Sequence, residues 1–145
     1  MGQLILQLAL GGALMAVATG VQTLGIAMAM AARPHLSRRI GSPRVWPFTI
    51  LVTAIALWLL LGQTIGVWVW TLALIGVGGF EELEPALYYA LSSYTTVGFG
   101  DVLPEEEWRI LGTMAGANGM LAFGLAAAAL VGIVGQVRRE LGEGE

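Results

Sequence analysis

The sequence is organised around one stretch, Tyr94-Thr95-Thr96-Val97-Gly98-Phe99-Gly100-Asp101, which lies between long apolar segments. A backbone that turns successive carbonyls toward one axis alternates between ordinary and left-handed dihedral angles, and glycine reaches the left-handed region without steric cost. Gly98 and Gly100 have the spacing that this alternation needs. Inside a bilayer, non-helical backbone is tolerated only where protein buries it or where it lines a water-filled path. The stretch therefore predicts the lining of a pore.

The composition predicts a membrane protein. Of 145 residues, 57% are hydrophobic and 12% are charged, and the mean hydropathy is +0.77; a soluble domain has about 25% charged residues. The absence of cysteine and the single histidine exclude a disulfide framework, a Cys/His zinc site and a thiol nucleophile. No Ser/His/Asp or metal-ligand set is present, so we predict that the protein is not an enzyme and has no cofactor.

Three segments have the length and polarity of transmembrane helices. The first, over residues 1–32, lacks a positive leader, and its uncharged run exceeds the about 7 to 15 apolar residues of a signal peptide. Between the second and third spans, a helix of about ten residues is too short to cross the bilayer and must dip in and return. The predicted fold is all-α, with three transmembrane helices and a re-entrant pore helix. The predicted segments are an additional N-terminal helix (1–32), an Arg-rich loop (33–45), a pore domain (46–139) with outer helix 46–78, pore helix 84–95, filter 96–101 and inner helix 107–137, and a short tail (138–145).

Charge predicts the orientation in the membrane. The loop over 33–45 contains four arginines, and Arg138 and Arg139 follow the third span; short basic loops stay in the cytoplasm. We therefore expect the C-terminus inside and the N-terminus outside. Seven acids then lie on the outer face, where they either raise the local cation concentration or are simply solvated: Glu81, Glu82, Glu84, Asp101, Glu105, Glu106 and Glu107.

The stretch resembles the selectivity filter of pore-loop potassium channels. The similarity covers roughly residues 68–139: an acidic pre-loop, a short amphipathic helix, the filter, an Asp, a Pro-containing loop and a Gly/Ala-rich helix. It implies a homotetramer in the membrane, since one chain supplies one wall of the pore, with K⁺ as the transported ion. The composition is compatible with a bacterial inner membrane. The expected partners are the chain itself, the lipid bilayer and K⁺, with no nucleic acid, and gating by a further partner stays open.

The resemblance also implies roles for individual residues. The carbonyls of Thr96, Val97, Gly98 and Phe99, with the Thr96 hydroxyl, would coordinate K⁺. Phe99 stands where Tyr is usual in this family, and Ser92 stands where some relatives have a Glu that pairs with the Asp, so Asp101 is expected to bond nearby backbone or to face water. Filter support is expected from Thr95, Gly100, Asp101, Tyr88, Tyr89, Ser92 and Asn118.

The third span contains further candidates. An unpaired amide in hydrocarbon is costly, so Asn118 is expected to face the wet cavity or the back of the pore helix near Ser92 and Ser93. The alternative is a structural hydrogen bond between helices that does not influence conduction. Gly119 occupies the position of the family's hinge glycine, and a packing role is the alternative. Helical spacing predicts a stripe that faces the cavity, formed by Met120, Phe123, Ala127 and Val131.

Two other functions stay open from the sequence. One is a cation channel that discriminates poorly between K⁺ and Na⁺, because the absent Tyr hydroxyl could soften the filter. The other is a membrane subunit that does not conduct and modifies another protein. The two glycines argue against the second, since a purely structural role does not need them at those positions.

Overall fold

The computed structural model describes residues 1–40 and 45–142. Within these ranges the regular structure is entirely helical, as expected for a chain whose backbone polar groups must be satisfied inside a bilayer. The helices are α1 (Gly2–Ile40), α2 (Val45–Gly76), α3 (Leu83–Tyr94) and α4 (Arg109–Gly142), and a 3₁₀ turn at Glu106–Trp108 precedes α4. Three segments are long and apolar enough to cross a membrane, Gly2–Ala32, Trp46–Gly76 and Glu106–Arg139. The predicted all-α membrane fold is confirmed.

The largest differences from the predicted helix bounds are at the C-terminal ends of α1 and α4, which extend into the Arg-containing segments. α1 continues to Ile40, so the first part of the loop predicted over 33–45 has a helical backbone, and α4 continues past 137 to Gly142. Helical hydrogen bonds join backbone groups, so a helix can extend beyond its apolar segment. The rest of the predicted loop, residues 41–44, and the last part of the predicted tail, 143–145, lie outside the described residues.

The start of α1 and both connections around α3 lie at one end of the bundle, called here the filter end. The amide of Glu105 donates to the carbonyl of Gly79 (3.1 Å), which joins the turn after α2 to the turn before α4. The side chain of Gln3 reaches the carbonyl of Glu107 (3.4 Å), so the first turn of α1 is there too. The N-terminus and the acidic loops therefore share one end, as the predicted topology requires.

The core at the filter end joins all four helices. Trp70 and Leu74 of α2, Tyr94 of α3 and Leu111 of α4 are fully buried there, and Leu10, Leu14 and Met15 of α1 pack against this cluster. At the opposite end, a second cluster joins α1, α2 and α4 through Ala29, Leu51, Ile55, Leu59, Ile133 and Val137. α1 thus packs along the other two long helices over much of its length.

Candidate ion-conducting site

The sign of φ alternates through the filter segment, defined here as residues 96–100. Thr96, Gly98 and Gly100 have φ values of 62°, 59° and 77°, whereas Val97 and Phe99 do not have positive φ. The two glycines adopt the left-handed conformation that their spacing predicts. Thr96 was missed, although it lies two residues before Gly98 in the same alternation. A non-glycine residue held in this region costs about 1 to 3 kcal/mol and persists only where its surroundings impose it.

The backbone amides of the filter segment donate hydrogen bonds to the last turn of α3. The amide of Thr96 donates to the carbonyl of Ser93 (2.9 Å), and the amide of Gly98 donates to the carbonyl of Ser92 (3.1 Å). The hydroxyl oxygen of Ser92 accepts from the amide of Phe99 (3.3 Å). The carbonyls of Ser92 and Ser93 are among the acceptors that have no partner within the helix at its C-terminal end.

These bonds determine where the carbonyls of the segment point. In a trans peptide the N–H and C=O groups point in opposite directions. Because the amides of Thr96, Gly98 and Phe99 point toward α3, the carbonyls that precede them, those of Thr95, Val97 and Gly98, point away from it. Thr95 was expected to support the filter, and its hydroxyl donates to the carbonyl of Leu91 (2.7 Å). A row of carbonyls is thus turned to the open side of the chain.

The open side of the filter segment is a surface that one chain leaves uncovered. Val97 is 55% exposed and Phe99 is 70% exposed, whereas Tyr94, two residues before the segment, is 1% exposed. In a membrane, apolar side chains such as those of Val97 and Phe99 pack against protein or lipid. The exposed backbone beside them needs water, ions or protein as hydrogen-bond or ligand partners. Within the described residues, this backbone and the side chains of Val97 and Phe99 are therefore left uncovered.

Tyr88 and Asp101 form a brace, defined here as the hydrogen bond between them, beside the end of the filter segment at Phe99 and Gly100. The Tyr88 hydroxyl donates to the two carboxylate oxygens of Asp101 at 2.8 and 3.1 Å, and its ring stacks on that of Phe99 with centroids 6.3 Å apart. The hydrogen bond to the carboxylate, followed by desolvation and the carboxylate's charge, raises the pKa of Tyr88. Asp101 also accepts from the amide of Val102 (3.1 Å), which is the backbone contact expected for it. The bond to Tyr88 was not predicted.

Tyr89 and Tyr94 point away from the filter segment and into the helix packing. Tyr89 packs on Phe80, with ring centroids 5.5 Å apart, and its hydroxyl lies where a Cβ on Gly112 would be. The hydroxyl of Tyr94 occupies the corresponding space beside Gly66 of α2. Tyr89, which was expected to support the filter, therefore packs α3 against α4.

Asn118 forms hydrogen bonds between helices, which was the alternative to the cavity and to Ser92 and Ser93. Its side-chain oxygen accepts from the indole N–H of Trp70 (2.9 Å), and its side-chain nitrogen donates to the hydroxyl oxygen of Thr19 (3.1 Å). The amide therefore faces α2 and α1 rather than the cavity or Ser92 and Ser93. The physical reason is that hydrocarbon requires a partner for both halves of the amide, and an indole and a hydroxyl supply one each. Asn118 itself is fully buried.

Gly119 lies where α4 touches the end of the pore helix. It is buried, and a Cβ at this position would overlap the carbonyl oxygen of Tyr94. The α4 helix is continuous through Gly119. This geometry accounts for the glycine by close packing, which was the alternative to a hinge.

The predicted cavity stripe is exposed in the single chain. Met120 and Val131 are 72% and 74% exposed, Phe123 is 41% exposed, and Ala127 is exposed as well. The residues of α4 that face the other helices follow the same helical spacing on a different side: Leu111, Ala115, Asn118, Ala122, Ala129, Ile133 and Val137. Within the stripe, the ring of Phe123 contacts that of Tyr94 of α3, with centroids 6.3 Å apart. Met120 and Val131 remain largely exposed, as does the open side of the filter segment.

The acidic side chains of the filter end are exposed, as expected for a surface that could attract cations. All seven predicted acids are in this class. Arg109 forms an ion pair with Glu106 at 3.4 Å, and an exposed pair of this kind contributes little to stability.

Comparison with known proteins gives the family. A family model described as "Ion channel" matches residues 48–136, which include nearly all of α2, all of α3, the filter segment and most of α4, but not α1. Neither a search of curated proteins nor a search of solved structures found a match. Since the family model covers more than half of the chain, and since the matched part contains the open row of carbonyls, the chain belongs to the ion channel family.

Proposed function

We propose that the chain assembles as a homotetramer and conducts K⁺ selectively through the filter segment. The observation that carries this proposal is the alternation of φ over residues 96–100 together with the amides that bond back to α3. Neutral carbonyl dipoles arranged around an axis replace the hydration shell of a cation, and several adjacent sites let ions repel one another onward. The coordinating groups would be the carbonyls of Thr96, Val97, Gly98 and Phe99, with the Thr96 hydroxyl at the inner end.

Assembly follows from the incompleteness of the site. A row of carbonyls from one chain touches one side of an ion, and a closed ring needs identical rows from neighbouring chains related by rotation. Such an assembly would cover the side chains that one chain leaves exposed, those of Val97, Phe99, Met120 and Val131. In the proposed tetramer the acids of the filter end surround the outer mouth, where their summed field would concentrate cations.

A second candidate is a cation channel with little preference between K⁺ and Na⁺. It is favoured by a cavity of about 210 Å³ between the filter segment and α3, lined by Tyr88, Ser92, Gly98, Asp101 and neighbouring residues. Phe99 has no hydroxyl that could bond across this region. A filter with free space behind it can relax around a smaller ion, which would weaken the discrimination.

Flux from liposomes that contain the purified protein tests the proposal. We expect K⁺ flux to exceed Na⁺ flux, and we expect Gly98→Ala to abolish the K⁺ flux. The matched control is Gly78→Ala: both glycines have positive φ and no atom within 4 Å of an added Cβ, but Gly78 lies in the turn after α2. Both variants bear a similar backbone strain, so a loss of flux confined to Gly98→Ala assigns the ion path to the filter segment.

The other outcomes separate the alternatives. Equal K⁺ and Na⁺ fluxes would establish the poorly selective channel. No flux over a range of pH and voltage, from protein that is shown by its mass in detergent to be a tetramer, would favour the subunit that does not conduct. A monomeric mass would refute the proposed assembly.

The proposed orientation, with the filter end outside and the C-terminus in the cytoplasm, has a simple test. The chain has no cysteine, so a single cysteine placed at Glu82 can be labelled without background. We expect a reagent that does not cross the inner membrane to label Glu82→Cys in intact spheroplasts and not to label Arg138→Cys. Labelling of Arg138→Cys and not of Glu82→Cys would show that the chain has the opposite orientation in the membrane.

A further inference from the structure

We propose that α1, which lies outside the family match, is a working part of the pore, and that Thr19 is a positioning residue for the filter segment. This inference deepens the proposed function and rests on it where ion selectivity is concerned. It concerns a chain of contacts that begins on α1, passes through Asn118 of α4 and ends at the carbonyls that hold the filter segment.

The first link is the pair of hydrogen bonds at Asn118. Its side-chain amide is fully buried, and its two halves bond to different helices, to Trp70 of α2 and to Thr19 of α1. The Thr19 bond joins α4, which lies within the family match, to α1, which lies outside it. Without the Thr19 hydroxyl, the side-chain nitrogen of Asn118 would be a buried donor with no partner, which is costly in hydrocarbon.

The second link is the contact between α4 and the end of the pore helix. A Cβ on Gly119 would overlap the carbonyl oxygen of Tyr94, and a Cβ on Gly116 would lie 3.1 Å from the carbonyl oxygen of Ser93. The α4 backbone on either side of Asn118 therefore rests directly on the last carbonyls of α3. A shift of α4 at this level has no flexible side chain to absorb it.

The third link joins these carbonyls to the ion path. The carbonyl of Ser93 accepts from the amide of Thr96, the residue with left-handed φ at the start of the filter segment. Thr19, Asn118, the α4 backbone, Ser93 and Thr96 therefore form a continuous series of contacts.

A second tie from α1 lies about three helical turns further toward the filter end, at Gln7. The side-chain oxygen of Gln7 accepts from the amide of Leu111 at 3.0 Å, in a buried position. Leu111 is in the first turn of α4, where the amides have no partner within the helix. α1 therefore holds α4 by directional bonds at two levels, and the stretch of α4 from Leu111 to Asn118 includes the contact at Gly116.

The test compares three variants of the full-length protein. Thr19→Val removes the hydroxyl at nearly constant volume, and Thr19→Ser retains it. The matched control is Thr23→Val, one turn further along α1, because the Thr23 hydroxyl bonds the carbonyl of Gly20 in its own helix (3.0 Å) and, among the described residues, no other helix.

The first readout is hydrogen–deuterium exchange of peptides that cover residues 94–101, and it does not require conduction. We expect exchange there to become faster in Thr19→Val by about threefold to tenfold, the range that one neutral hydrogen bond contributes to an equilibrium constant. Thr19→Ser should restore the wild-type rate, and Thr23→Val should not alter it. An unchanged rate in Thr19→Val, or an equal change in Thr23→Val, overturns the inference.

The second readout is the ratio of K⁺ to Na⁺ flux. A purely structural loss reduces the number of functional channels and lowers both fluxes in proportion. We expect the ratio itself to fall in Thr19→Val and to recover in Thr19→Ser; a constant ratio overturns the role of Thr19 in selectivity. Wild-type protein without flux or without selectivity would refute the proposed function instead, and the exchange measurement would then decide the inference alone.

Discussion

The two ends of the helical bundle are joined by different kinds of contact. At the filter end, hydrogen bonds between side chains link separate elements: Trp70 to Asn118, Asn118 to Thr19, and Tyr88 to Asp101. At the opposite end, α1, α2 and α4 meet in a cluster of mainly aliphatic side chains that includes Leu59 and Ile133. Beside it, the indole N–H of Trp58 donates to the backbone carbonyl of Gly25 (2.9 Å). Hydrogen bonds require defined distances and angles, whereas dispersion contacts tolerate sliding.

This difference has a functional meaning for an ion channel. A row of carbonyls that replaces a hydration shell needs fixed atomic positions, and directional bonds supply them. An aliphatic cluster permits small sliding movements of packed helices, which is one of the ordinary ways in which proteins change conformation. The comparison therefore predicts that substitutions at the filter end alter selectivity, whereas substitutions at the opposite end alter stability alone.

The largest effect is expected at Gly119, where α4 rests on α3. In Gly119→Ala the new methyl group would overlap backbone atoms of Tyr94, which cannot move aside as a side chain does. We expect a loss of about 3 kcal/mol or more in the free energy of unfolding, with little assembled protein. Thermal unfolding in detergent and the yield of tetramer measure it. The control is Gly132→Ala, which has no atom within 4 Å of its Cβ; an equal loss there would remove the special status of the α3 contact.

The opposite end is tested by Leu59→Ala. Leu59 is 4% exposed and belongs to the aliphatic cluster. We expect the free energy of unfolding to fall by about 1 to 3 kcal/mol, less than in a water-soluble core, because lipid is as apolar as leucine and only the packing is lost. The K⁺ to Na⁺ flux ratio should stay at the wild-type value. Leu57→Ala, at a position 60% exposed, is the matched control, and a changed ratio in Leu59→Ala alone would break the comparison between the ends.

Between the two ends lie two buried amides that make no hydrogen bond within the described residues. Gln22 of α1 and Gln63 of α2 are 1% and 4% exposed, and all four of their side-chain polar atoms are unpaired. Because an unpaired polar group in an apolar setting is costly, Gln63→Leu should raise the free energy of unfolding by about 1 kcal/mol. Thermal unfolding of the purified protein that is used for the liposome assay measures this change. A decrease would mean that the amide finds a partner in the assembled channel.

The smallest effect is expected from Tyr88→Phe. The variant removes the hydroxyl that bonds Asp101 and keeps the ring that stacks on Phe99. We expect the K⁺ to Na⁺ flux ratio to fall by less than about fivefold, because exposed polar contacts contribute little. Asp101→Asn retains an acceptor for the hydroxyl and should lower the ratio less. The same ratio in Tyr88→Phe and the wild type would show that the brace does not hold the filter segment.

Much of the fold could be predicted because the relevant rules are local. Comparing the length of each apolar run with the bilayer thickness predicts the transmembrane helices. By the same comparison, the short helix that ends at Tyr94 was predicted to be re-entrant. Gly98 and Gly100 were predicted to adopt left-handed conformations because their spacing alone permits alternation. Thr96 shares that conformation, but its residue type gives no sign of it, since the bonds from α3 impose it.

The partners of polar side chains could not be predicted in the same way. Gln7 and Thr19 are polar residues within an apolar run, which is a signal that they meet something polar, but their bonds to Leu111 and Asn118 join residues far apart in the sequence. Asn118 was expected to need a partner, and a hydrogen bond between helices was one of the alternatives, but the sequence did not name Trp70 or Thr19 as the partners. Several polar groups lay within plausible reach, and the choice among them depends on how three helices pack.

The sequence by itself determined the membrane setting, the all-α architecture, the position of the re-entrant helix and the two glycines of the filter segment. These follow from composition, segment length and the steric properties of single residues. Only the tertiary structure decided that α1 is bonded to the inner helix beside the filter, that Tyr88 braces Asp101, and that Gly119 serves close packing. Each of these depends on the distance between residues that are remote in the chain, and such distances exist only once the helices have packed.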